Sequence, residues 1–329
     1  MIEMDLAVIG AGPCGIAVGA AAKAAGVEAV LFDKGCITSS IVGYPYYMRF
    51  FSTADRLEVG GLPFTIPEKN PSRQEALVYY RRVVEHFGMT VRQYEGVEEI
   101  TGEEGAYHLR TRCMAGEDRI YKARYVVMAN GGFHGPNLLG VPGEELPKVL
   151  HYYTEPYPFY DQDVLVIGGR NSAVEAALEL YRNGARVTLV HFLDWIDKGV
   201  KPWVVPDITN RLEQGQVGAF WRHRVAEITP GTVKLRDEDN GQLSEIENDW
   251  VLAMTGWHAD PHLLRELGVH IDADTGIPDH DPSTMETTHP GVFLAGVLAA
   301  GNNANKIFIE NGRRHGTQIM EALRESGRI

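Results

Sequence analysis

The sequence predicts an α/β fold of two domains, each a parallel sheet with an attached β-meander, and three observations carry that prediction. The first is a glycine turn, Gly10-x-Gly12-x-x-Gly15, set between the apolar run Leu6 to Ile9 and an Ala-rich helical stretch through Lys23. The second is a further apolar run, Ala29 to Phe32, that ends on Asp33. The third is recurrence. Asp163 to His191 repeats strand (Val164 to Ile167), glycine turn (Gly168, Gly169), helix (Asn171 to Asn183) and strand (Arg186 to Val190). Gly10 and Asp33 are 23 residues apart, as are Gly168 and His191, so two copies of one unit are the economical explanation.

Each unit carries the signature of a Rossmann-like, dinucleotide-binding fold. Continuous apolar runs suit strands buried in a parallel sheet, and a turn stripped of side chains lets a pyrophosphate reach the free N–H groups of the helix behind it. Gly10, Gly12, Pro13, Cys14 and Gly15 are the phosphate-facing candidates of the first unit, and Asp33 is placed to accept from an adenosine ribose. In the second unit the candidates are Gly168, Gly169, Asn171 and Ser172, with Arg170 in place of the middle glycine. Its strand ends in His191 rather than an acid. Loss of that carboxylate, with cations nearby, favours a ribose carrying a 2′-phosphate. The first unit therefore reads as a site for FAD or NAD and the second as a site for NADPH.

The remaining elements follow in order. Gly35 to Phe64, rich in Gly, Ser and aromatics and holding Ser39, Ser40, Tyr44, Tyr46 and Tyr47, reads as loop, either a cover for a flavin ring or a surface loop with tucked aromatics. Arg73 to Phe87 has apolar residues near helical spacing. Met89 to Tyr94, Gly96 to Thr101 (holding Val97), Tyr107 to Met114 and Arg119 to Ala123 read as a strand and a meander, followed by a buried strand, Tyr125 to Ala129. Ala129, Asn130, Gly131 and Gly132 close that strand with small residues suited to a cofactor. A linker is placed near Pro147 to Tyr157. After the second unit come a helix around Asp207 to Gln214, a second meander (Gln216 to Ile246), and Trp250 to Met254 ending on Thr255 and Gly256. Gly291 to Ala295 with Gly296 is a late strand and turn, and Asn305 to Glu325 reads as the terminal helix. The expected domains are 1–150 and 258–329 for the first cofactor, with 151–257 inserted for the second.

Composition narrows the function. The 329 residues are 44% hydrophobic and 23% charged, ordinary for a globular protein. Acidic residues outnumber basic ones 44 to 31, a net charge of −13 with no Lys/Arg block, which argues against nucleic acid or an anionic membrane as partner. The first strand begins within five residues and no apolar run approaches a membrane span, so a cytoplasmic protein without a signal peptide is expected. Three cysteines, Cys14, Cys36 and Cys113, with no C-x-x-C, fit neither a disulfide framework nor a zinc or other metal site.

Several of these residues resemble the two-dinucleotide-fold flavoprotein reductases, of which low-molecular-weight thioredoxin reductases are the familiar members. Gly10 to Pro13, Val166 to Gly169, Asn171 to Glu175 and Gly291 to Gly296 stand where that group has them. Three departures are visible. The redox C-x-x-C is replaced by Tyr152-Tyr153-Thr154-Glu155, the acid after the late Ala-Gly is Val297, and the middle glycine of the NADPH turn is Arg170. With Gly12 to Gly15, Phe51 to Gly61, Lys201-Pro202-Trp203 and Ile307 to Gly312, the chain resembles the bacillithiol disulfide reductase (YpdA-type) family. That resemblance implies FAD, NADPH and a small-molecule disulfide substrate, with a bacilliredoxin-type protein partner and a homo-oligomer expected. It adds Lys34, Ser40, Val97, Gly296, Val297, Lys306 and Ile307 to the FAD residues. The alternative is a cysteine-independent reductase passing electrons to a protein such as ferredoxin or flavodoxin.

The chemistry requires nicotinamide C4 and flavin N5 within about 3.5 Å, which two nucleotide folds in one chain serve to arrange. The N-terminus of the helix at Asn305 is the expected partner for negative charge on a reduced flavin, with Lys306 as a second contact. Cys14, at the first turn of the first helix, is the catalytic candidate: the helix dipole is expected to lower its pKa and favour attack on a disulfide, against the alternative of a small residue filling a tight turn. Cys36 and Cys113 have no comparable setting. For the 2′-phosphate the candidates are His191, Lys198 and Lys201, with Arg170 on the pyrophosphate.

Overall fold

The computed structural model describes residues 2–303 and 306–329. They fall into two compact units, Met1–Gly135 with His258–Ile329, and Pro136–Trp257. The cut lies ahead of the boundary expected after residue 150. Val149–Leu150, expected as linker, is instead a short parallel strand of the second unit, with Val149 in register with Val251 and Leu150 with Leu252.

The first unit is built on a seven-stranded sheet. In spatial order run Thr90–Gln93, Ala29–Asp33, Ile2–Ile9, Asp118–Met128, Tyr107–Cys113 and Glu95–Thr101, and Val292–Leu294 also pairs with Asp118–Met128. Ile2–Ile9 is parallel to both neighbours, Leu6 facing Ala29 on one side and Tyr125 on the other. Leu6, Ala7 and Val8 are fully buried, as parallel strands covered on both faces require. The helix Arg73–Phe87 opens on a capping box, with the Ser72 hydroxyl accepting from the Glu75 N–H and the Glu75 carboxylate accepting from the Ser72 N–H.

Two expectations for this unit need correction. The separate strands Arg119 to Ala123 and Tyr125 to Ala129 are one strand of 11 residues, Asp118–Met128, because nothing at Arg124 breaks the extended backbone where alternation gives way to a buried run. The terminal helix is broken into Ile309–Gly312 and His315–Glu325, and Lys306 to Phe308 is not helical. Asn305, where the helix was expected to begin, lies outside the described residues.

The second unit has five parallel strands, in the order Gly218–Trp221, Arg186–His191, Asp163–Ile167, Trp250–Ala253 and Val149–Leu150. A three-stranded antiparallel sheet, His223–Ile228, Thr232–Asp237 and Leu243–Glu247, is the meander, which begins later than the expected Gln216 because Gly218–Trp221 pairs parallel with Arg186–His191. The helix Asn171–Arg182 buries Ala173, Val174, Ala176, Ala177, Leu178 and Leu180 in the core that Val164, Val166, Val187 and Leu189 share. The helix expected around Asp207 is Val205–Glu213. In both units the residues that follow parallel strands collect along the carboxyl edge of the sheet, where open α/β sheets present their ligand crevices.

Candidate functional site

At the first turn, Gly10 has a φ of +110°, and a Cβ on it would lie 2.4 Å from the Ala129 carbonyl oxygen. Gly15 is fixed by close approach, since a Cβ there would stand 1.9 Å from the Gly10 carbonyl oxygen. Gly12 is different. Its φ of −75° and ψ of 177° are extended values open to any residue, and Arg170, at the equivalent place in the second unit, has φ −97° and ψ −177°. No atom lies within 4 Å of a Gly12 Cβ. What calls for glycine at 12 is therefore neither backbone strain nor protein packing, but room in front of the helix Pro13–Ala25, whose N-terminus has no side-chain cap. That cradle fits a dinucleotide pyrophosphate.

Asp33 stands beside the turn. Its carboxylate accepts from the Ala11 N–H at 2.8 Å, the Gly35 N–H at 2.8 Å and the Ser39 hydroxyl at 3.2 Å, so it shapes the loops while keeping acceptor capacity for a ribose hydroxyl. Ser39, rather than the exposed Ser40, makes this contact. Lys34 Nζ lies 3.3 Å from His134 Nδ1, and a Cβ on Gly96, beside Val97, would touch Lys34 Cβ at 3.4 Å. Burial and Lys34 hold His134 below the usual histidine range. Asn130 donates to the Asp260 carbonyl at 2.9 Å, and Gly131 has open space at its Cβ with a φ of +78°. Ala129 is buried under this edge.

Cys14 is clasped from the far end of the chain. Cβ atoms on Gly296 (φ +77°) and Gly312 would each stand 2.9 Å from the Cys14 sulfur, and one on Gly312 would lie 3.2 Å from Ile307 Cγ2. Val297 is half-buried, 3.2 Å from the Cβ position of Gly132, and Lys306 is exposed. The side chain of Cys14 keeps some exposure, but the atoms packed around it push its thiol up to about 12. The lowering expected from the helix dipole is thus reversed, because removing charge from water outweighs a partial charge at the helix end. Three further residues belong here, of which the sequence places Tyr44 and Gly312 only within longer segments and gives no role to His315. Gly312 follows Asn311 in a turn dipeptide, the one local signal available. Tyr44 lies in the aromatic loop, and burial with the neighbouring Cys14 sulfur pushes its phenol up to about 12. His315, with no local signal, accepts the Gly296 N–H on Nδ1 at 3.1 Å, and burial lowers its pKa to about 4.

The second turn repeats the first. Gly168 has a φ of +133°, and its Cβ would lie 2.5 Å from the Met254 carbonyl oxygen. Gly169 is required by a side chain instead, since its Cβ would stand 2.5 Å from Cδ2 and 2.6 Å from Nε2 of His191. His191 is 5% exposed, and among the described residues neither ring nitrogen has a hydrogen-bond partner. Burial holds its pKa below the usual range, so the cation expected there for a 2′-phosphate is a neutral ring tucked under the turn. The backbone N–H of Lys201 donates to Asn171 Oδ1 at 2.9 Å, while Lys201 Nζ sits 2.5 Å from Glu175 Oε1. Arg170 Nε lies 3.3 Å from Asp197 Oδ2, and the Asp197 N–H donates to the Gly169 carbonyl at 2.8 Å, folding the following loop back over the turn. Ser172 and Lys198 are exposed. The fold thus gathers Gly169, Arg170, Asn171, His191 and Lys201 at one uncapped helix start, a setting that fits a second dinucleotide.

Residues 7–296 match the family model of the pyridine nucleotide-disulphide oxidoreductases. A bacilliredoxin reductase of Bacillus subtilis is 42% identical over 97% of this chain and 97% of its own length. The solved structure of a bacillithiol disulfide reductase from Bacillus cereus is 40% identical, with a TM-score of 0.95 over 98% of this chain and 99% of that one. A thioredoxin reductase from T. acidophilum, at 22% identity, shares the fold, with a TM-score of 0.79 over the whole of both chains. Among the described residues no helix is long and apolar enough to cross a membrane.

Proposed function

The chain belongs to the pyridine nucleotide-disulphide oxidoreductase family, in the branch of the bacillithiol disulfide reductases, and from that premise we propose that it reduces bacillithiol disulfide with electrons drawn from NADPH through FAD. The balance is NADPH + H⁺ + RSSR → NADP⁺ + 2 RSH. FAD, when bound, supplies the two-electron relay between nicotinamide and disulfide. The residues proposed to hold it are Gly10, Gly12, Cys14 and Gly15 at the pyrophosphate, Asp33 at the ribose, and Gly296 and Val297 at the late turn. Gly168 to Ser172 are proposed to take the pyrophosphate of NADPH.

The observation that carries this reading is Gly12, a glycine that neither backbone nor packing demands, in front of an uncapped helix. The position that holds the redox cysteine pair in thioredoxin reductases is here Tyr152 to Glu155, and Tyr153 is buried in the core of the second unit. The reducing power is therefore proposed to leave by the flavin itself, with Cys14 beside it as a protonated thiol rather than a ready nucleophile. A bacilliredoxin-type protein as onward partner is supported by the name of the Bacillus subtilis relative, and a cytoplasmic setting by three free thiols. The test is NADPH oxidation by the FAD-loaded protein with and without bacillithiol disulfide. A clear acceleration is expected, and a rate no higher than the oxidase background would remove this substrate. The high Cys14 pKa also favours one second reading, electron delivery to a protein acceptor, which would show as ferredoxin- or flavodoxin-dependent turnover that survives Cys14→Ala.

A further inference from the structure

Resting on the reading of Pro136–Trp257 as the NADPH unit, we propose that Arg224 and Phe192 form the subsite that distinguishes a 2′-phosphorylated nicotinamide cofactor from its unphosphorylated form. The 2′-phosphate of a cofactor seated on this fold reaches the end of the second strand, Arg186–His191. Of the candidates nearest in sequence, Lys198 is exposed on the loop that follows the strand, and the others are buried or engaged. His191 is buried and neutral, its ring filling the space over Gly169. Lys201 Nζ is held by Glu175, and Arg170 faces Asp197.

The strand leaves His191 for Phe192, an apolar residue 47% exposed where a phosphate site would call for charge. That charge comes from a neighbouring strand. Arg224, on His223–Ile228, lays its guanidinium 4.5 Å above the centre of the Phe192 ring, while its Nε donates to Glu238 Oε2 at 2.9 Å. Ring and carboxylate fix the plane of the guanidinium, and among the described residues neither Nη carries a hydrogen bond. A planar fork held this way presents two parallel donors to a phosphate and a flat face to an adenine, which lysine does not reproduce. A second observation points to a ligand at the same place. His191, whose ring lies 4.6 Å from that of Phe192, has two buried ring nitrogens without partners among the described residues.

The experiment measures KM and kcat for NADPH and for NADH as reductants of the FAD-loaded protein, with Arg224→Leu and Arg224→Lys. For Arg224→Leu the NADPH KM is expected to rise about 10- to 100-fold while the NADH KM and both kcat values stay put. Arg224→Lys, which keeps the charge and loses the fork, is expected to fall between. An unchanged NADPH-to-NADH preference in both variants, or two KM values rising together, would overturn the proposal alone. Failure of NADPH to bleach the flavin of the unsubstituted protein would instead overturn the cofactor reading on which it rests.

Discussion

Gly12→Ala separates the fold from the cofactor. Its Cβ would meet no atom within 4 Å, and the φ of −75° suits alanine, so the protein without flavin is expected to lose no more than the N-cap difference, about 1 kcal/mol. A pyrophosphate would meet the new methyl and be held off the helix N–H groups. Losing about two charge-assisted hydrogen bonds at roughly 1.5–3 kcal/mol each weakens FAD binding by about 10²- to 10⁴-fold. Gly15→Ala is the contrast, because its Cβ would sit 1.9 Å from the Gly10 carbonyl oxygen, and relieving that overlap is expected to cost the fold about 3 kcal/mol. The assay is bound flavin per protein, with the urea midpoint of each flavin-free variant. Gly12→Ala should be nearly colourless with a midpoint near the parent, and Gly15→Ala should have a lowered midpoint. A Gly12→Ala protein that keeps FAD with parental affinity would refute the reasoning.

Two further outcomes follow from buried groups in the same unit. With its thiol pushed up to about 12, Cys14 should be alkylated at neutral pH about 10³-fold more slowly than free cysteine and about tenfold faster per pH unit, read by peptide mass spectrometry; labelling at the free-cysteine rate would contradict the burial. His315, held to about 4 by burial and by His280, is neutral in the fold and binds a proton first in the unfolded chain, so stability is lost as pH falls from about 6.5 to 4. Between pH 7 and pH 5 that loss is about 1–2 kcal/mol by urea unfolding, and His315→Asn, which keeps an acceptor for the Gly296 N–H, should remove it.

What the sequence made legible was local. The turn at Gly10 to Gly15, the strand ending on Asp33 and their copy at Gly168 to His191 are short periodic signals whose meaning lies within about 25 residues, and the strands, helices and turns stand where those signals put them. What it hid was decided across the chain. The helix of Cys14 alone predicts a lowered pKa, yet burial raises it, with Gly296 and Gly312 packed against the sulfur from near the other end of the sequence. His191 looked like a cation at a strand end, and only the close approach of the glycine turn makes it a buried neutral ring. An apolar stripe carries the expected terminal helix through Ile307, but Ile307 packs beside Gly312, and the chain turns at Arg313 and Arg314 before His315–Glu325 begins. Gly316 then lets that helix approach Ala17, whose carbonyl oxygen would stand 2.7 Å from a Cβ there.

The central claim is that one chain binds FAD and NADPH and passes electrons out through the flavin without a cysteine pair of its own. Anaerobic titration of the FAD-loaded protein with NADPH, followed by flavin absorbance, tests it most directly. Complete bleaching with a single equivalent of NADPH per flavin is expected, because Cys14, Cys36 and Cys113 are separate free thiols that offer no second two-electron acceptor. A flavin that stays oxidised, or uptake of a second equivalent before bleaching is complete, would contradict it.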